Sequence, residues 1–139
     1  MKIEILNAQN KIEIDENHLK SCARKVLRFS KKKKAHLSIM IVDNNMMKQL
    51  NKKYRKKDKA ADVLSFSMKE GRQIKGDREL LGDIVISAEE ARGENEIYLF
   101  LIHGMLHLLG YDHKNRSQTV KMEKRQTDLL EKICKSAAW

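Results

Sequence analysis

Apolar and polar residues alternate along residues 2–6 (KIEIL) and again along 11–14 (KIEI). That is the period of a half-buried strand, and Asn7 and Asn10 stand between the two segments as turn formers, so an edge hairpin is a possible pairing. The spacing then changes to that of a helix over about 16–29, with Asp15 as N-cap and Leu19, Ala23, Val26 and Leu27 inward. The run Lys31 to Lys34 breaks it off. HLSIMIVD, 36–43, reads as a strong buried strand. Asp43 or Asn44 can cap a second helix over about 45–56, carrying Met47, Leu50 and Tyr54 on one face. DVLSFSM, 62–68, is another strand, the polar stretch 69–78 with Gly71 and Gly76 is a loop, and LLGDIVIS, 80–87, is a further strand.

Ser87 and Glu90 have the S-x-x-E spacing of a capping box, which predicts a short helix ended or interrupted by Gly93. A more apolar helix follows over about 95–109, NEIYLFLIHGMLHLL, and Gly110 stops it. Asn115 or Ser117 opens the last helix, with Val120, Leu129, Leu130, Ile133 and Ala137 available for packing. The pattern predicts one α+β (mixed α/β) domain over residues 1–139, a small, mostly four-stranded mixed sheet packed with about five helices.

Composition narrows the class. A chain of 139 residues with 41% hydrophobic content can bury one core without staples, and 35% charged residues give it a wet surface. No apolar run approaches the ~20 residues of a membrane span, and the N-terminal segment has no signal-peptide pattern. Cys22 and Cys134 lie far apart and form no CxxC or disulfide framework, so a reducing, cytoplasmic location is expected. The formal charge of +10 favours a polyanionic partner, nucleic acid being the commonest, although a lysine-rich proteome produces the same bias. Three Phe, three Tyr and one Trp do not support an aromatic base-stacking platform.

The chemistry concentrates in HGMLHLLGYDH. His103 and His107 are four apart inside a helical segment, which stacks their imidazoles on one face. Gly110 lets the chain turn sharply, and His113 can swing back to the same point. Three imidazoles with a fourth position open describe a catalytic transition-metal site, zinc above all. A single histidine on an apolar helix is usually a core residue, but three of five histidines in one eleven-residue window make a stronger case. The spacing equals that of H-E-x-x-H-x-x-G-x-x-H, with one departure: Gly104 stands where that motif carries its general-base glutamate. Glu96 lies two turns back and is a poor replacement. Asp112 reads equally as an acceptor for a ligand N–H or as a turn former.

A second segment, NKKYRKKDKAADVLSF at 51–66, crowds six cations around the end of a helix. The helix dipole alone favours lysines there. Arg55 differs, because a guanidinium can grip a phosphate through two parallel bonds and stabilise charge developing on it.

Together these blocks resemble the YbeY family of bacterial metal-dependent endoribonucleases of rRNA maturation. HGMLHLLGYDH is similar to its H-G-x-L-H-L-x-G-Y-D-H signature, NKKYRKKDKAADVLSF to its N-x-x-x-R helix end running into T-D-V-L-S-F, and LLGDIVIS to its L-G-D-I-x-I-S strand. Met122 falls where the family carries a methionine. The blocks keep their order over about residues 36–130. The resemblance implies a zincin-like fold with the metal site at the end of the central helix. It implies His103, His107 and His113 as ligands of one Zn2+ or another divalent transition metal, His103 and Arg55 as catalytic residues, and a cytoplasmic protein. The implied substrate is single-stranded RNA, above all the 3′ end of 16S rRNA, in ribosome quality control on the small subunit, with no DNA or membrane partner. Ala60 and Ala61 depart from the family's P-T, and the segment from Ser87 to His103 is shorter than is typical. Two rival readings stand beside this one: a metalloprotease or amidase, favoured by the metzincin spacing, and a non-enzymatic ribosome-binding factor with a structural metal, favoured by charge.

Overall fold

Side chains on a strand point alternately to its two faces, and here the two faces meet different partners. The computed structural model describes residues 1–32, 34–56, 61–67, 73–74 and 78–134, with backbone alone at 73–74, 78–80 and 133–134. Its elements are β1 (Lys2–Asn7), α1 (Glu16–Phe29), β2 (Ala35–Val42), α2 (Asn44–Arg55), β3 (Val63–Ser67), β4 (Gln73–Ile74), β5 (Arg78–Ser87), α3 (Glu94–Leu108) and α4 (Arg116–Leu129). A 3-10 turn, Ala88–Glu90, precedes α3, and a π-helical turn, Leu130–Cys134, follows α4. The sheet runs β1-β2-β5-β3, with the two-residue β4 also pairing β5. β1, β2 and β5 are parallel, and β3 is antiparallel to β5.

Leu37, Ile39 and Ile41 of β2 and Ile84 and Ile86 of β5 share one fully buried core with Leu19, Ala23 and Val26 of α1 and Leu101, Ile102 and Met105 of α3. The opposite face has a smaller core, in which Met47 of α2 meets Val42, Leu64 and Val85. α3 is buried nearly all round, which makes it the central helix of the fold. The Tyr98 hydroxyl, hydrogen-bonded to Nδ1 of His18, ties it to α1. Burial raises that phenol pKa to about 12, with the charges of Glu94 and Asp15 adding to the effect.

Several caps follow the sequence. Asp15, Asp43 and Asn115 accept from the backbone N–H of His18, Met46 and Gln118. Other expectations need correction. Residues 11–14 form no strand, and β1 pairs in parallel with β2 instead of in a hairpin. The Gln9 side chain takes the N–H of Lys11 and Ile12 and donates to the Ile12 carbonyl, so those groups are satisfied inside a loop. Ser87 makes no capping bond; its hydroxyl donates to Asn44 Oδ1 at 2.6 Å and joins β5 to α2. Gly93 is the N-cap of α3. Tyr54 and Val120, assigned to packing faces, are 55% and 56% exposed. The loop expected over 69–78 contains β4 and the start of β5, and its remainder, like Ala137, lies outside the described residues. Cys22 is disulfide-bonded, against the expectation from cysteine spacing; the side chain of Cys134 lies outside the described residues.

Candidate metal centre

Within α3 the side chains of Ile97, Tyr98, Leu101, Ile102, Met105, Leu106 and Leu108 are buried, while His103 and His107 are half-buried. The two histidines therefore mark the one stripe of the central helix that the core leaves open. The helix ends in a Schellman motif: the N–H of Tyr111 bonds to the Leu106 carbonyl at 2.9 Å and that of Gly110 to the His107 carbonyl at 3.1 Å. Gly110 has φ +104°, a conformation that side chains disfavour, so the turn needs a glycine. This reversal carries the chain back over the open stripe, with His113 exposed at its end.

The three imidazoles converge. Nε2 of His107 and Nε2 of His103 are 3.2 Å apart, and one ligand nitrogen from each of the three residues lies within 4.8 Å of the others. A tetrahedral zinc with bonds of about 2.0–2.1 Å holds its ligand nitrogens about 3.3 Å apart. The His103–His107 pair fits that spacing without a rotamer change, and the exposed His113 leaves the cluster open to solvent. The donor set is thus suited to one transition-metal ion. Burial, followed by the neighbouring His103 and His113, lowers the His107 pKa, against smaller raising effects of Asp112 and the Tyr111 backbone. The lowering favours the neutral imidazole that a metal ligand must be.

What lies behind the ligands could not be read from spacing. Gln126 of α4 presents Oε1 to Nδ1 of His103 at 2.9 Å. An acceptor there keeps the proton on Nδ1 and leaves the Nε2 lone pair facing the cluster. Gln126 is 23 residues away in sequence, and only the packing of α4 along α3 brings it to His103. Asp112, by contrast, accepts from the backbone N–H of His113 at 2.7 Å and acts as a turn former. That bond is the main reason its carboxyl pKa is lowered. Gln126→Ala is expected to weaken metal binding about 10- to 100-fold, with Gln126→Glu retaining it, as read by competition with a chelator. Equal affinity in all three proteins would remove Gln126 from this role.

Gly104 lies beside the histidine stripe on α3, where the helix packs against the sheet. A Cβ built there would sit 3.0 Å from Ile84 Cγ2 and 3.3 Å from Val63 Cγ2. The position that holds a glutamate in metzincins therefore faces packed methyl groups. Arg55 is held by β3: its Nη2 donates to the Ser65 carbonyl at 2.6 Å, and its guanidinium lies 5.0 Å from the Phe66 ring centre. Both contacts are on β3, the sheet's outer strand, and the described residues show none between Arg55 and the triad.

Comparison with known proteins agrees with this architecture. The family model described as Endoribonuclease YbeY matches residues 4–134. The Endoribonuclease YbeY of Syntrophotalea carbinolica is 37% identical, with 94% of this chain and 95% of the relative aligned. That of Caldicellulosiruptor saccharolyticus is 39% identical, over 94% of this chain and 96% of the relative. A Thermotoga maritima protein solved in solution superposes with a TM-score of 0.61 at 27% identity, covering 94% of this chain and 88% of its own. With the match spanning nearly the whole chain and taking in the histidine cluster, the chain belongs to the YbeY endoribonuclease family.

Proposed function

We propose that the protein is a zinc-dependent, single-strand-specific endoribonuclease that matures the 3′ end of 16S rRNA and serves ribosome quality control, with the small subunit as partner and the cytoplasm as its place of action. The observation that carries this reading is the convergence of three imidazoles in a chain whose relatives are named endoribonucleases. His103, His107 and His113 hold the ion. When bound, such an ion supplies Lewis acidity to a phosphoryl oxygen. The close packing at position 104 argues against the rival protease reading, because this chain carries no general-base carboxylate there and a Cβ at that position would crowd Ile84 and Val63.

Arg55 grips the scissile phosphate in this reading, exchanging the neutral Ser65 carbonyl for a charged acceptor and a two-point bond. Lys52, Lys53 and Lys56, at the same helix end, hold the flanking backbone, so binding weakens steeply with salt. Arg55→Ala is expected to lower kcat/KM on a single-stranded oligonucleotide by about 10²-fold, and Arg55→Lys to recover little, because an ammonium cannot make the two-point contact. Unchanged cleavage by Arg55→Ala would remove the clamp from the mechanism.

The function itself is tested by giving protein of measured metal content single-stranded RNA, duplex RNA and casein, beside a His103→Ala variant. Cleavage of the single strand alone, lost in the variant, is the expected result. Casein cleavage lost in the variant would favour the protease reading. Metal-loaded protein inert on every substrate would favour the ribosome-binding factor.

A further inference from the structure

We propose that the uncovered half of the α2 face of the sheet is a nucleobase subsite that takes a guanine of single-stranded RNA. It rests on the endoribonuclease reading only for the choice of RNA as ligand. The sheet register aligns Ser38 of β2, Asp83 of β5 and Phe66 of β3 in one row across three adjacent strands. The next row on that face, Met40, Val85 and Leu64, packs with α2, whereas in the Asp83 row the last turn of α2 meets Phe66, at the β3 end, and Asp83 is exposed. The result is an open groove of about 430 Å³, lined by Tyr54, Leu50, Met40, Phe66, Ser38 and Asp83 among others.

Each part of this groove suits a splayed-out base. Tyr54 is 55% exposed and meets Phe66 edge-on, with ring centres 5.6 Å apart. Unstacked bases lie on such rings whatever their sequence, and each contact is worth roughly tenfold in affinity. Lys53 lies over Tyr54 at 5.2 Å and Arg55 over Phe66 at 5.0 Å, so the aromatic pair is flanked by cations that attract phosphates and repel a basic peptide. Total aromatic content argued against a stacking platform, but tertiary structure gathers two of those few rings beside two cations.

The floor supplies selectivity. Asp83 is exposed, and among the described residues its carboxylate makes no ion pair or hydrogen bond, although the protein carries a net charge of +10. A carboxylate only accepts hydrogen bonds. Guanine alone among the bases offers two adjacent donors, N1–H and the N2 amino group, that match both carboxylate oxygens. Adenine and cytosine offer one exocyclic amino group each, and uracil one ring N–H.

The test measures binding of the metal-loaded protein to non-cleavable 2′-O-methyl uridine decamers carrying one central G, A, C or U, by fluorescence anisotropy at fixed salt. A single guanine is expected to tighten binding about tenfold over all-uridine. Tyr54→Ala should weaken every decamer about tenfold, and Tyr54→Phe should restore them. Asp83→Asn should erase the guanine advantage and leave the all-uridine affinity within about twofold. A guanine advantage that survives Asp83→Asn, or wild-type binding by Tyr54→Ala, overturns the subsite. So does an arginine-rich peptide that binds in a Tyr54- and Asp83-dependent way while RNA affinity ignores both residues, which would make the groove a protein-docking surface. RNA cleavage dependent on His103, with RNA affinity indifferent to both variants, overturns the subsite alone. Guanine-selective binding by a protein that cleaves no RNA overturns the endoribonuclease reading alone.

Discussion

Replacing His107 with alanine is expected to strip the metal from the protein and lower cleavage of single-stranded RNA by on the order of 10³-fold, the equivalent of several kcal/mol of lost charge stabilisation. His107 lies nearest to both others, with ring centres 4.7 Å from His103 and 5.1 Å from His113, against 6.1 Å between those two. Without it, a half-buried imidazole and an exposed one remain, too few to hold a catalytic ion against the surrounding water. The fold should survive, because the site lies on the open stripe of α3 and alanine is the best helix former. Metal content, circular dichroism and kcat/KM on the same preparation decide the matter. Metal retained along with full cleavage would place the centre elsewhere. Metal lost with cleavage intact would make it structural.

The second large effect is expected at Gly104. Restoring the glutamate of the metzincin pattern, Gly104→Glu, should not create a protease; it should destabilise the protein by about 3 kcal/mol or more. The added Cβ already crowds Ile84 and Val63 of the sheet, and the carboxylate beyond it would be driven among apolar side chains. Gly104→Ala separates the two causes. It carries only the steric contact, partly offset by the roughly 1 kcal/mol that alanine gains over glycine in a helix. Thermal unfolding should therefore rank wild type and Gly104→Ala close together, with Gly104→Glu far below. A Gly104→Glu protein that melts with wild type would show that α3 can shift from the sheet, and the packing argument against protease chemistry would fall with it.

The glycine changes meaning between sequence and structure. In the sequence its importance was what it is not, a general base. In the fold its importance is what it permits, the close approach of α3 to β3 and β5. Arg55 gains neighbours that its residue type could not announce. The side chain suggested a phosphate clamp, and the fold adds its contacts with Ser65 and Phe66 on β3. The capping box at Ser87 was lost to a competitor that no local pattern reveals, the side chain of Asn44, 43 residues away.

The features legible in the sequence were those set by contacts within about a turn of chain. The i, i+4 histidine pair, the three helix caps and the glycine that reverses the chain after α3 all follow from local geometry. So do the alternating faces of β2 and β5, because pleat and helix period act over a few residues whatever surrounds them. Tertiary structure alone decided which strand neighbours which, that α4 delivers Gln126 to His103, that Gly104 faces methyl groups, and that Tyr54, Phe66 and Asp83 share one groove. Each of these depends on segments far apart in the chain, brought together by burial of the common core, and a non-directional force leaves no local signature of the polar contacts it happens to assemble.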